Sequence, residues 1–137
     1  ELVRFATVLA GPSGADDLVA SAVLKAFANP GWHEVQNRRA YLYRAVLNEA
    51  RQEGRSSVRR LRREQLAAPP EATEPSAVRP EVIAAVRRLD VRQRAIVFFT
   101  YWQDRSATEI ADELGITVRT VQRELADART RLLEQLR

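Results

Sequence analysis

The chain has no cysteine, no methionine and a single histidine, His33, among its 137 residues. Disulfides and thiolate metal centres are therefore excluded, and one imidazole cannot build a histidine-based metal site by itself. No catalytic signature is present: there is no Gly-rich phosphate loop, and no nucleophile stands at motif spacing from a base, so the sequence argues against an enzyme and calls for no cofactor. Runs of about 18 uninterrupted apolar residues, the length of a membrane span, are missing too. No secretory pattern opens the chain. With no membrane partner indicated, the expected location is the cytoplasm. The lack of methionine predicts that the natural start lies before Glu1.

What the chain does have is helical periodicity and a lopsided charge. Hydrophobic residues make up 45% of it, enough for a core. Residues 38–63 hold nine Arg against Glu49 and Glu53, whereas residues 64–81 hold four Glu against Arg79. The basic block predicts a polyanion partner, because each phosphate contact releases condensed counterions. The stretch AAPPEATEPSAVRP at 67–80, with its four Pro and its acids, predicts a linker.

The most informative segment is SATEIADELGITVRTVQRELADAR, residues 106–129. Ser106 and Glu109 have the spacing of a capping box. Ile110, Ala111 and Leu114 form one apolar face, Gly115 stands where a left-handed residue ends a helix, and Ile116 plugs the corner. Thr117 is the expected N-cap of a second helix, whose buried side is Val121, Leu125, Ala128 and Leu132. Arg119, Thr120, Gln122 and Arg123 then face outward, with donors long enough to reach base edges in a major groove. This pattern predicts a DNA-binding helix-turn-helix.

Along the rest of the chain the periodicity predicts a helix end around Leu2–Leu9 and a second helix from about Ala15 to Phe27, with Phe27 among its inward residues. A third helix is expected from Asn37 towards Arg51, broken or kinked at Gly54 and followed by a separate basic helix from Ser57 to Leu66. Pro80 can open another helix. Asp90 and Gln93 can cap the next, a helix through Ile96–Trp102 whose aromatic residues, Tyr101 and Trp102 included, should form the centre of the C-terminal core. The expected fold class is all-α: a small helical domain over 1–66, a Pro-rich acidic linker over 67–80, and a helix-turn-helix domain over 81–137.

Two blocks, ADDLVASAVLKAF with RRAYLYRAVLNEARQEGRSSVRR, and RRLDVRQRAIVFFTYWQDRSATEIADELGITVRTVQRELADARTRL, resemble the extracytoplasmic-function sigma factors of bacterial RNA polymerase. The resemblance implies a transcription initiation factor that binds core polymerase at its clamp helices and flap and directs it to promoter −10 and −35 elements. It assigns Asp16, Asp17, Ser21 and Lys25 to polymerase, Asn48, Arg51, Arg55, Arg59 and Arg60 to the −10 element, and Thr117, Arg119, Thr120, Gln122 and Arg123 to the −35 element. An anti-sigma factor is a further partner the family implies and this sequence leaves open. Glu124 and Asp127 stand where the family frequently has basic residues. Asp127 lies four residues after Arg123, within pairing reach, where a carboxylate near phosphate would weaken upstream binding. The rival reading is a dimeric helix-turn-helix regulator bound to operator DNA.

Overall fold

A computed structural model describes residues 1–67 and 79–136, with only the helical backbone described over 54–67. The described residues form seven α-helices and no strand. α1 (Leu2–Ala10) carries Phe5, Ala6 and Leu9 on one buried face. α2 (Ala15–Ala28) has Asp16 and Asp17 in its first turn, where carboxylates suit the helix dipole, and buries Leu18, Ala22 and Ala26. These three lie four residues apart, so Phe27 falls about 100° away from the buried line. It is 59% exposed rather than inward, edge-on to Trp32 at 5.2 Å. A short 3₁₀ turn, Trp32–Glu34, leads to Asn37, whose Oδ1 accepts from the Ala40 N–H at 3.1 Å and so caps the next helix.

α3 (Arg38–Ala67) is one helix of 30 residues, not two. Glycine inside a helix costs only about 1 kcal/mol relative to alanine. Ala50, Arg51, Gln52, Glu53 and Arg55 around Gly54 are good helix formers with no Pro among them, so the helix runs through. Among those of its residues whose side chains are described, 38–53, the buried ones are Ala40, Tyr43, Val46, Leu47, Glu49 and Ala50.

α4 (Pro80–Arg87) starts with Pro at its first position. α5 (Val91–Val97) is capped by Asp90 and Gln93 and then widens into a π-helical segment, Phe98–Trp102. The wider repeat uses more residues per turn, so the last two aromatics arrive past the buried face. Phe98 and Phe99 are fully buried, whereas Tyr101 and Trp102 are 53% and 45% exposed, a correction to their expected place in the core. α6 (Ala107–Leu114) and α7 (Val118–Leu136) complete the chain.

The N-terminal and C-terminal helical groups share one core. Phe5 of α1 lies 4.9 Å from the Tyr43 ring and within 5.4 Å of both Phe98 and Phe99. The same cluster continues through Leu18, Val46, Ile96, Ile110 and Val121. Each fully buried aromatic or branched side chain contributes about 1.5–3 kcal/mol of transfer free energy. This seam is therefore a substantial part of what holds the helices together.

Candidate nucleic-acid interface

The helix-turn-helix is built by local bonds that its sequence announces. Ser106 Oγ accepts from the Glu109 N–H at 3.1 Å, and Glu109 Oε1 accepts from the Ser106 N–H at 3.1 Å. The Ser106 N–H on the carboxylate, followed by the Ser106 hydroxyl and Arg105, holds the Glu109 carboxyl below its ordinary pKa, because each favours the charged form. Gly115 closes α6 with φ +69°, a left-handed conformation that side-chain-bearing residues resist. The Ile116 N–H reaches back to Ala111 O at 3.1 Å, and Ile116 itself packs half-buried on the core. Thr117 Oγ1 then accepts from the Thr120 N–H at 3.1 Å, and the two hydroxyls share a hydrogen bond of 2.8 Å.

Of the five residues expected to face upstream DNA, the structure thus gives Thr117 and Thr120 a capping bond with each other. Arg119, Gln122 and Arg123 are exposed on α7. None of these three has a partner among the described residues. They occupy spacings of three and four residues, so they form one donor-bearing face over the first turns of the helix.

Glu124 and Asp127 of α7 turn the other way. Glu124 pairs with Arg92 at 3.0 Å. Asp127 Oδ2 accepts from Gln93 Nε2 at 2.6 Å and pairs with Arg131 at 3.3 Å. The expected Asp127–Arg123 pair is therefore replaced by Arg131, four residues on, and by a side chain of α5. The cause is tertiary: the start of α5 packs along the flank of α7 that carries residues 124, 127 and 131, and Arg123 lies on the open side. Gln93, 1% exposed, is the centre of this arrangement, since its Oε1 also accepts from the Asp90 N–H at 3.4 Å.

In the N-terminal group, Asn48 and Arg51 are exposed on α3. With Arg44 they fall at i, i+4 and i+7 of one stripe. The Arg55, Arg59 and Arg60 side chains lie outside the described residues, as do those of Arg62 and Arg63 and the linker over 68–78. Asp16 and Asp17 are exposed at the start of α2. Ser21 Oγ, by contrast, donates to Glu49 Oε2 at 3.1 Å, and Lys25 Nζ is paired with Glu49 Oε1. Two of the four residues expected to meet polymerase are thus tied to α3 by a carboxylate that sequence reasoning did not single out. Its one signal was its position, an acid inside the Arg-rich block. Arg44 and Glu113 were missed likewise. Arg44 Nε donates to Glu113 O at 2.8 Å, and Arg39 Nε to Glu113 Oε1 at 3.1 Å.

No group of His, Asp and Glu among the described residues is arranged to hold a metal ion. No described helix is long and apolar enough to cross a membrane.

Comparison with known proteins agrees with this geometry. Residues 79–132 match the family described as Sigma-70, region 4. The chain is 30% identical over 131 residues to the RNA polymerase sigma-E factor of Streptomyces coelicolor, covering 91% of this chain and 73% of that one. It is equally similar to the sigma-E factor of Streptomyces antibioticus, 30% over 131 residues, covering 91% and 72%. Its fold matches the sigma factor RpoE of Bartonella quintana, solved as a co-crystal with the anti-sigma factor NepR. The TM-score there is 0.71 at 24% identity, over 98% of this chain and 89% of the other.

Proposed function

The chain belongs to the extracytoplasmic-function sigma factors of the sigma-70 family, and from that premise we propose how its two helical groups divide the work of promoter recognition. The protein is a transcription initiation factor that acts with core RNA polymerase on promoter DNA. In the proposed division, residues 81–137 read the −35 element through α7, residues 1–66 dock on polymerase and meet the −10 element, and residues 67–80 connect them.

One observation carries the upstream assignment: the donor face of Arg119, Gln122 and Arg123 is exposed and unpartnered within the described chain, and it sits on the second helix of a fully capped helix-turn-helix. Such a helix places its first turns in a major groove, where an Arg reads guanine bidentately. On α3, Asn48 would contact an unstacked base of the −10 element. Arg51, Arg55, Arg59 and Arg60 would supply phosphate affinity, which positions the protein without reading sequence. Asp16 and Asp17 would meet the polymerase clamp. Ser21 and Lys25 would contribute there only after leaving Glu49. The reading assigns no catalysis to this chain, since nucleotide chemistry belongs to the polymerase, and it places the protein in the cytoplasm. An anti-sigma factor completes the proposed partner set, because the structural relative was captured with one.

Transcription in vitro with core polymerase on genomic fragments, followed by mapping of start sites, tests this reading. Arg123→Ala is expected to cost about 1–3 kcal/mol in upstream binding and to relax choice at one base position. Sequence-specific binding as a free dimer, with no affinity for polymerase, would transfer the protein to the operator-binding regulators.

A further inference from the structure

The start of α5 holds α7 at two points. Arg92 Nη2 donates to Glu124 Oε1 at 3.0 Å, in a pair whose side chains are only 30% and 18% exposed and so little screened by solvent. The next residue, Gln93, donates through Nε2 to Asp127 Oδ2 at 2.6 Å. Behind that bond stands a closed ring. Asp127 Oδ2 pairs with Arg131 Nε at 3.3 Å, Arg131 Nη1 reaches Asp90 Oδ1 at 3.7 Å, and the Asp90 N–H donates back to Gln93 Oε1 at 3.4 Å. The buried Gln93 amide is thus occupied at both ends, by the cap of its own helix and by α7.

Glu124, Asp127 and Arg131 stand at spacings of three and four residues, so they share one flank of α7. The middle of that flank lies about 120° round the helix from the middle of the Arg119, Gln122 and Arg123 face. Two anchors three residues apart on one flank fix the roll of α7 about its own axis. The buried apolar side of α7, Val121 and Ala128, sets roll less sharply, because hydrophobic attraction has no direction. Roll decides what a reading helix touches. A turn of about 10° moves side-chain tips about 6 Å from the axis by about 1 Å. An N–H···O bond holds only over about 2.7–3.2 Å, so such a turn breaks a bidentate contact to one base and presents the donor to another.

We propose that Arg92 and Gln93 are positioning residues for upstream promoter recognition: by holding Glu124 and Asp127 they set the roll of α7, and with it which base edges Arg119 and Arg123 meet. The proposal rests on the upstream reading given above and deepens it, since base choice then depends on two α5 side chains bonded to α7 on a flank other than its reading face. It also gives the two carboxylates a use. An unpaired acid on a helix approaching phosphate lowers affinity for DNA of any sequence. Here each acid has a partner from α5 that makes it an anchor.

The full chain is assembled with core polymerase, and base preference is read from binding to promoters randomised over the −35 element, well below Tm. The wild-type factor should favour one base by about 5- to 150-fold at the positions assigned to Arg119 and Arg123. Arg92→Glu and Glu124→Arg each set like charges against one another. Each should cut that ratio about fivefold or move it to another base, and the double exchange, which rebuilds the pair in reverse, should return it to within about twofold of wild type. Gln93→Met, similar in length but without the amide, should act as the single exchanges do. Asp104→Val, which strains the backbone before α6, lowers stability without touching the ring and serves as the control. Single variants with wild-type preference overturn the proposal, and so does a double exchange that fails to recover it. An equal loss of preference in Asp104→Val also overturns it, because the effect is then one of stability alone. Should a charge exchange lose its helical circular dichroism, Gln93→Met and the nearly isosteric Glu124→Gln are judged by the same criteria. A wild-type factor that binds polymerase but shows no −35 preference sinks the upstream reading itself, and the proposal with it.

Discussion

Adding a cation to the recognition helix ought to tighten DNA binding, and Asp127→Arg is the obvious choice. The structure says that this variant first loses stability. Asp127 Oδ2 is the acceptor for Gln93 Nε2 at 2.6 Å, and Gln93 is 1% exposed. Removing the acceptor leaves a buried amide donor unsatisfied, which costs about 1–3 kcal/mol. The lost i,i+4 pair with Arg131 adds about 0.3–0.5 kcal/mol, and the new Arg then repels Arg131 by a similar amount. The Asp127 side chain is half-exposed, so water replaces part of what is lost, and a net cost of about 1.5 kcal/mol follows. At 137 residues each kcal/mol lowers Tm by about 3–4 °C, so the expected drop is about 5 °C. Asp127→Asn keeps an acceptor oxygen and should lose less than half of that. Thermal melts of the three proteins, with anisotropy on a −35 duplex well below Tm, make the comparison. Should Asp127→Arg melt within a degree of wild type and bind duplexes of every sequence more tightly, the carboxylate is a mere repulsive charge and the argument from Gln93 is wrong.

Two further outcomes are expected. Glu109 titrates below the usual carboxylate range in the folded state, so its contribution is complete at neutral pH and is lost as pH falls through that depressed value. The stability gap between wild type and Glu109→Gln should accordingly narrow as pH falls below the ordinary carboxylate value of 4.5, and urea titrations that find the gap constant from neutral pH until the carboxyls are fully protonated contradict the capping-box assignment. Asp104 holds φ +50° between the π-helical segment and α6, so Asp104→Val should destabilise by about 1–2 kcal/mol whereas Asp104→Asn is near neutral; equal chemical denaturation midpoints for the two refute strain there.

What the sequence made legible is what neighbours in the chain settle among themselves. Ser106 with Glu109, Gly115, and Thr117 with Thr120 all bond within a few residues, so their residue types and spacing carry the geometry. The start of α3 at Asn37 and the first position of α4 at Pro80 are local in the same sense. The hold of Arg44 on the end of α6 was invisible because its partners are main-chain carbonyls 68 and 69 residues away, and every residue type offers a carbonyl. Asp127 was assigned to the wrong Arg because i,i+4 spacing fits Arg123 and Arg131 equally, and only the flank taken by α5 decides between them. Tyr101 and Trp102 fit an uninterrupted 3.6-residue period. No local signal announces the wider turn that carries them out of the core.

The unbroken course of α3 past Gly54 has a mechanical consequence. Thirty helical residues make a rod about 45 Å long, held in the core by buried residues from Ala40 to Ala50. A rod has a register as well as a length: each backbone position follows the one before it at about 100° per residue. Had Gly54 broken the helix, the basic positions beyond it would be steered by whatever they touched. Because it does not, one helical register runs from Arg38 to Ala67, and a single inserted residue near position 52 would rotate every later backbone position by about 100° and advance it by about 1.5 Å. The glycine that looked like a hinge is a link in a single register, so the backbone on its two sides turns as one piece.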